Sequence, residues 1–159
     1  MAARAKLLRR KSRTTNDVIQ TGVYPKREID FSKVYSQFVE NLEINTGSVL
    51  SFLGVARLES ADGKRKIKSL TIESYEKHAK AMLERICREV RVKYSLSDIR
   101  IVHGLGSFSG GEPVVIVLVA SPRRKQGFSA LAEAVERYKK EPALFKKETY
   151  GDGSSAWIS

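Results

Sequence analysis

The stretch Pro113-Val-Val-Ile-Val-Leu-Val-Ala120 decides the fold. It is a short, unbroken and mostly β-branched run, which reads as a strand buried on both faces. The run ends at Ser121-Pro122. A residue before proline is pushed away from helical geometry, so Arg123 and Arg124 fall at a strand-to-helix corner. Phe128, Leu131, Ala132, Val135 and Tyr138 then recur at helical spacing, predicting a helix over 125–140 with one apolar face and Lys139 in its last turn. Pro142 stops that helix. A strand over 144–150 follows, turning at Gly151-Asp-Gly153 into a last strand over 155–158.

Cations punctuate this strand, helix and strand at Arg123, Arg124, Lys139, Lys146 and Lys147, a spacing that points to an anion pocket. Lys139 and Lys146 stand on either side of one tight corner. A lysine crowded by other cations and apolar walls loses preference for its ammonium form, which makes it a nucleophile or proton shuttle near neutral pH. The negative end of a helix dipole works the other way. The plainer alternative is a helix-capping lysine on a solvated face, and local pattern alone leaves both open.

Upstream, an edge strand is expected over 24–29 and a helix from Asp30 to about Asn41. A strand over 47–54, hairpin-type turn residues at Ala61-Asp-Gly-Lys64 and a returning strand over 68–74 come next. A helix over 76–93 buries Ala79, Met82, Leu83, Ile86 and Val90, and a strand over 98–103 leads to Gly104-Leu-Gly106, read as a turn. That glycine pattern leads into a strand and matches no nucleotide-binding spacing. Periodicity thus establishes α+β class with mixed, largely antiparallel pairing.

The chain has 159 residues, 42% of them hydrophobic, enough for one domain with a substantial core. Its formal charge is +11; eight basic residues against Asp17 alone supply +7 of that within the first 27 positions. Residues 1–22 are therefore expected to be a disordered basic arm, and 23–159 a single domain. A transit peptide would need a sustained amphipathic stretch, which the arm lacks. No apolar run approaches 18 residues, and a single cysteine permits no internal disulfide, so the cytoplasm is the expected compartment. Cys87 reads as a core residue among Met82, Ile86 and Val90. Two histidines without cysteine pairs speak against a zinc site, and no metal or organic cofactor is demanded. Lys64, Arg65, Lys66 and Lys68 form a second basic cluster, read as a solvated loop that blunts a sheet edge or as a steering surface for an acidic partner.

The collinear set Gly47-Ser-Val-Leu-Ser-Phe-Leu-Gly-Val-Ala-Arg57, Leu70-Thr-Ile-Glu-Ser-Tyr75, Ile101-Val-His-Gly-Leu-Gly106, Gly111-Glu112, Arg123-Arg124, Lys139, Pro142-Ala-Leu-Phe-Lys-Lys-Glu148 and Trp157 resembles the large, catalytic subunit of molybdopterin synthase, the MoaE family. The resemblance spans about two thirds of the chain. It implies an α/β hammerhead fold and a sulfurtransferase whose partner is a small ubiquitin-fold sulfur carrier with a C-terminal thiocarboxylate. It further implies that sulfur is transferred twice onto cyclic pyranopterin monophosphate, opening the cyclic phosphate and forming the molybdopterin dithiolene, within a heterotetramer built on a homodimer. Carried over by position, Lys139 matches the family's essential lysine and Lys146 the second functional lysine. Arg57 matches a pocket arginine and Arg124 the arginine of a His-Arg pair. A planar guanidinium suits bidentate phosphate or carboxylate contact.

Three departures bear on the site. Arg123 replaces the usual histidine, keeping anion binding and losing a neutral imidazole. Phe145 replaces a tryptophan, keeping an aromatic wall without the indole donor. Gly104 stands where an arginine is frequent. His103 is read as a satisfied structural residue and left outside the catalytic set. Two other readings stay open: a non-catalytic relative that binds the carrier, and a small basic nucleic-acid-binding protein. The latter is disfavoured because Phe128, Tyr138 and Phe145 follow core-facing periods and do not interleave with the cations as exposed stacking platforms.

Overall fold

The computed structural model describes residues 18–158; residues 1–17 of the expected basic arm lie outside them. The element order is β1 (Gly22–Pro25), a short 3-10 turn (Lys26–Glu28), α1 (Phe31–Glu40), β2 (Ser48–Val55), β3 (Ile67–Ser74), α2 (Glu76–Tyr94), β4 (Asp98–Phe108), β5 (Pro113–Ser121), α3 (Arg124–Lys140), β6 (Leu144–Tyr150) and β7 (Ser155–Ile158). Seven strands form one sheet in the order β2-β5-β4-β3-β6-β7, with β1 added parallel to β4 and every other pair antiparallel. The class is α+β, as the periodicity implies.

β5 is buried from Val114 to Ser121. Its alternate residues feed two cores. Val115, Val117 and Val119 meet Leu83, Ile86 and Val90 of α2 and Ala130, Ala134 and Tyr138 of α3. Ile116, Leu118 and Ala120 meet Val34 and Phe38 of α1 on the other face. A third, smaller core of Ala56, Ile72, Phe108 and Val114 lies where the two halves of the sheet meet.

Four expectations are corrected. Gly104 and Gly106 lie inside β4 and form no turn. β4 pairs with β5 as far as His103 and with β3 from Gly106 onward, so the glycines sit where one strand passes between two pairing partners. Gly106 has φ +115°, and a Cβ on Gly104 would stand 2.7 Å from the Phe108 ring. The turn comes later, at Ser109 to Glu112.

The Ala61-Asp-Gly-Lys64 turn forms, with Ser60 N donating to Arg65 O at 2.9 Å, but the strands it joins do not pair. β2 pairs with β5, and β3 with β4 and β6, because partner choice follows burial against the apolar β5 more than local turn chemistry. The first strand is shorter than expected, ending at Pro25, whose missing N–H cannot extend a ladder. It begins at Gly22, and Ile19 packs against the α1-side core.

On α3 the buried residues are Gly127, Ala130, Ala134 and Tyr138, while Phe128 is 63% exposed. Small residues let the helix approach the sheet closely, and a Cβ on Gly127 would stand 2.5 Å from Leu50 Cδ1. Phe145 and Trp157 are likewise exposed, at 46% and 58%. The placement of aromatics therefore does not separate an enzyme from a nucleic-acid binder here. Among the described residues no helix is long and apolar enough to cross a membrane.

Gly47 locks the start of β2 to the Pro122 corner, its N–H donating to Ser121 O at 3.0 Å. A Cβ there would lie 2.3 Å from the Pro122 carbonyl oxygen, which is backbone and cannot step aside. Gly47→Ala is expected to lower unfolding free energy by about 1–3 kcal/mol in urea titration, with an unchanged m-value.

Candidate active site

A pocket of about 500 Å³ opens where the two halves of the sheet diverge. Its walls are apolar: Phe52 to Val55 of β2, Ile67, Leu70 and Ile72 of β3, Val114 and Val115 of β5, and Ile158 of β7. Its polar lining is Arg57, His103, Tyr138, Lys139, Lys146 and Glu148.

Each cation arrives on a fixed element. Arg57 follows Ala56, whose N–H donates to Glu112 O at 2.9 Å and whose carbonyl accepts from Gly111 N at 2.8 Å. Lys139 lies in the last turn of α3, its Nζ 5.6 Å from the centre of the Phe52 ring. The helix ends in a tight corner, with Leu144 N donating to Pro142 O at 2.9 Å and Glu141 gripped by Arg137 and Arg85. Strand alternation then decides which residues of β6 face the pocket. Lys146 and Glu148 do, whereas Phe145 and Lys147 take the outer face, Phe145 edge-on to Tyr75 and Lys147 over Trp157. Phe145 therefore forms no pocket wall, which corrects the role expected for it.

The lysine that burial perturbs is Lys146. Desolvation first, then the charges of Lys139 and Arg57, hold its amine below the usual lysine range. Low-dielectric walls and three convergent cations make the pocket a receptor for anions, and Lys146 the amine best able to shed a proton there.

The structure brings together Arg57, Lys139 and Lys146, and does not bring Arg123 and Arg124 to them. Arg123 caps the N-terminus of α3, with Ser121 Oγ donating to its carbonyl at 2.7 Å and accepting from its N–H at 3.3 Å. Arg124 opens a helix that carries Lys139 fifteen positions later, roughly 22 Å along the axis. Neither arginine lines the pocket of its own chain.

Two further residues line the pocket: His103, read from the sequence as structural, and Glu148, not considered there as a site residue. His103 is 1% exposed, held down to about 4 mainly by burial, with Lys146 adding to the effect. Glu148, 4% exposed, accepts from Tyr150 Oη at 2.9 Å. The alternation that places Lys146 also places Glu148, two residues on, so that signal was present in the sequence; the His103 position depends on where β4 changes pairing partner. Cys87 is a core thiol, pushed up to about 11 by burial. Among the described residues no three His, Cys, Asp or Glu side chains cluster as metal ligands.

The depressed Lys146 makes a prediction with a definite sign. A lysine whose folded pKa lies below its unfolded value of 10.5 destabilises the fold fully below the folded pKa and not at all above 10.5. Lys146→Met is therefore expected to raise the thermal midpoint at pH 7. The gain should shrink as pH rises through that window, as calorimetry across a pH series would show.

The MoaE protein family matches residues 25–141. The molybdopterin synthase catalytic subunit of Bacillus subtilis (strain 168) is 37% identical over 112 residues, covering 70% of this chain and 69% of that protein. The subunit of the same name from Pyrococcus abyssi is 32% identical over 114 residues, covering 72% and 75%. The crystal structure of molybdopterin synthase from Staphylococcus aureus superposes with a TM-score of 0.78 at 27% identity, covering 89% of this chain and 98% of that one. The fold is also shared with a protein solved as a complex of subunits 1 and 2 of the molybdopterin-converting factor from Helicobacter pylori, with a TM-score of 0.65 at 19% identity and coverage of 89% and 88%. The chain belongs to the MoaE family, the catalytic subunits of molybdopterin synthase.

Proposed function

We propose that this enzyme of molybdenum cofactor synthesis acts as a sulfurtransferase, moving sulfur from the C-terminal thiocarboxylate of a small ubiquitin-fold carrier onto cyclic pyranopterin monophosphate. The observation that carries the reading is the convergence of Arg57, Lys139 and Lys146 on one apolar-walled pocket. Both reactants are anionic, one by its thiocarboxylate and the other by its phosphate. Fixed cations held around an apolar-walled pocket stabilise such charges with little reorganisation at the moment of reaction.

In this reading Arg57 grips phosphate or carboxylate through its planar fork. Lys139, at the pocket edge, neutralises the negative charge that develops as the carrier sulfur bonds to a substrate carbon and a carbon–oxygen bond there breaks, its electron pair leaving on oxygen. Lys146, the more readily deprotonated amine, moves protons or holds the carrier terminus. After sulfur has bonded to the substrate, water cleaves the acyl–sulfur bond and the carrier departs as a carboxylate. A second carrier repeats the sequence, completing the dithiolene. The unpaired edge of β2, with Leu53 and Val55 exposed beside the pocket, supports entry of an extended tail along that side.

Arg123 and Arg124 keep a substrate-binding role through a second copy of the chain, whose α3 N-terminus would complete the pocket mouth. This is the reading that a homodimer within a heterotetramer supports. The family's biosynthetic role supports the cytoplasm as the working compartment.

The test is reconstitution with a thiocarboxylated carrier and cyclic pyranopterin monophosphate, with molybdopterin assayed as its fluorescent oxidation product. Lys139→Ala is expected to slow product formation by roughly 100-fold or more with carrier binding retained. Wild-type protein that binds carrier and makes no product would support a non-catalytic relative; absence of carrier binding would bring the nucleic-acid reading forward. Mixing Lys139→Ala with Arg124→Ala should restore part of the activity, because mixed dimers contain one intact pocket; two inactive variants that never complement would remove the second-copy role of Arg124.

A further inference from the structure

We infer that His103 is the proton acceptor that activates water for the hydrolytic half of the transfer, taking the water proton on Nε2. The inference rests on the sulfur-transfer reading of this pocket. His103 Nδ1 stands 2.9 Å from Gly104 O, and a carbonyl can only accept, so Nδ1 carries the hydrogen and Nε2 keeps its lone pair. The ring is held by its edge-on contact with Tyr138, at 5.9 Å between centroids, and by the hydrogen bond of Nδ1 to the Gly104 carbonyl. No partner for Nε2 exists among the described residues.

Of the polar groups lining the pocket, Arg57 and Lys139 are donors while charged, Lys146 faces the anionic reactants, and Glu148 Oε2 accepts from the Tyr150 hydroxyl, which leaves Nε2 of His103 as an uncharged acceptor with its lone pair unused. Burial keeps the imidazole neutral through the physiological range, so its lone pair is always available. Entry of anionic reactants offsets the neighbouring positive charges and raises its basicity when the reaction needs it. A backbone-held Nδ1–H with a free Nε2 is the arrangement in which a histidine acts as a general base.

In the proposed step, water gives a proton to Nε2 while its oxygen bonds to the acyl carbon of the carrier. The carbon–sulfur bond breaks with its electron pair on sulfur. The carrier leaves as a carboxylic acid that ionises, and the substrate keeps a thiolate, which takes the proton back from His103. No oxidant or further reactant is required.

The experiment compares wild type, His103→Gln and His103→Ala in the reconstituted carrier assay, following both product and covalent carrier–substrate adduct by mass spectrometry. Gln keeps an acceptor at the Nε2 position and cannot take a proton. Both variants are expected to bind carrier as wild type does, to form product about 10²–10⁴-fold more slowly, and to accumulate the acyl–sulfur adduct. Added imidazole should discharge the adduct in His103→Ala. Turnover by His103→Gln within threefold of wild type, or slow turnover with no adduct, would overturn the base role while leaving the synthase reading intact. An inactive wild type would overturn both. Should His103→Ala fail to fold, the adduct in His103→Gln decides alone.

Discussion

Burial of β5 on both faces is the constraint on which the remaining structure depends. A strand with no solvated side must be covered twice, and the chain meets this with α1 on one face and α2 with α3 on the other. The same strand also positions the chemistry at its two ends. Val114 and Val115 at its start form pocket wall, and Ser121 at its end shapes the corner from which Arg123, Arg124 and α3 depart. α3 then returns along the sheet and delivers Lys139 to the pocket at the opposite end from its own start.

Confining like charges is the pocket's energetic burden and its means of action. Three cations share a cavity with largely apolar walls, and the most buried amine, Lys146, responds by losing basicity. Arg137 on α3 finds acidic partners in Glu89 and Glu141. Among the described residues Arg57, Lys139 and Lys146 form no ion pair, so their mutual repulsion is a cost that an anionic reactant offsets. Ground-state repulsion of this kind is expected where stability has been given up for binding.

Elements were legible wherever a local period matched the buried face. The α2 stripe of Ala79, Leu83, Ile86 and Val90 lies where periodicity predicts it, and Asp30 caps α1 by accepting from Lys33 N. Legibility failed where long-range fit overrode residue size. On α3 the large Phe128 points outward because Gly127, Ala130 and Ala134 let the backbone come close to β2 and β5. Gly104 and Gly106 resemble turn residues locally, yet they serve a strand that changes partners, which no window of ten residues can reveal. The Ala61–Lys64 turn has the right local chemistry and still joins strands that pair elsewhere.

By itself the sequence determined the α+β class, the doubly buried strand, the helices around it and the ordered motifs of the MoaE family, because these follow from short-range periods and collinear residues. It also singled out Lys139, Lys146 and Arg57 as candidates. The tertiary structure alone decided that these three meet while Arg123 and Arg124 stand a helix length away, and that His103 and Glu148 join them. The physical reason is that proximity across a sheet depends on strand order, bend and register, which are set by burial summed over the whole chain and leave no mark in any single segment.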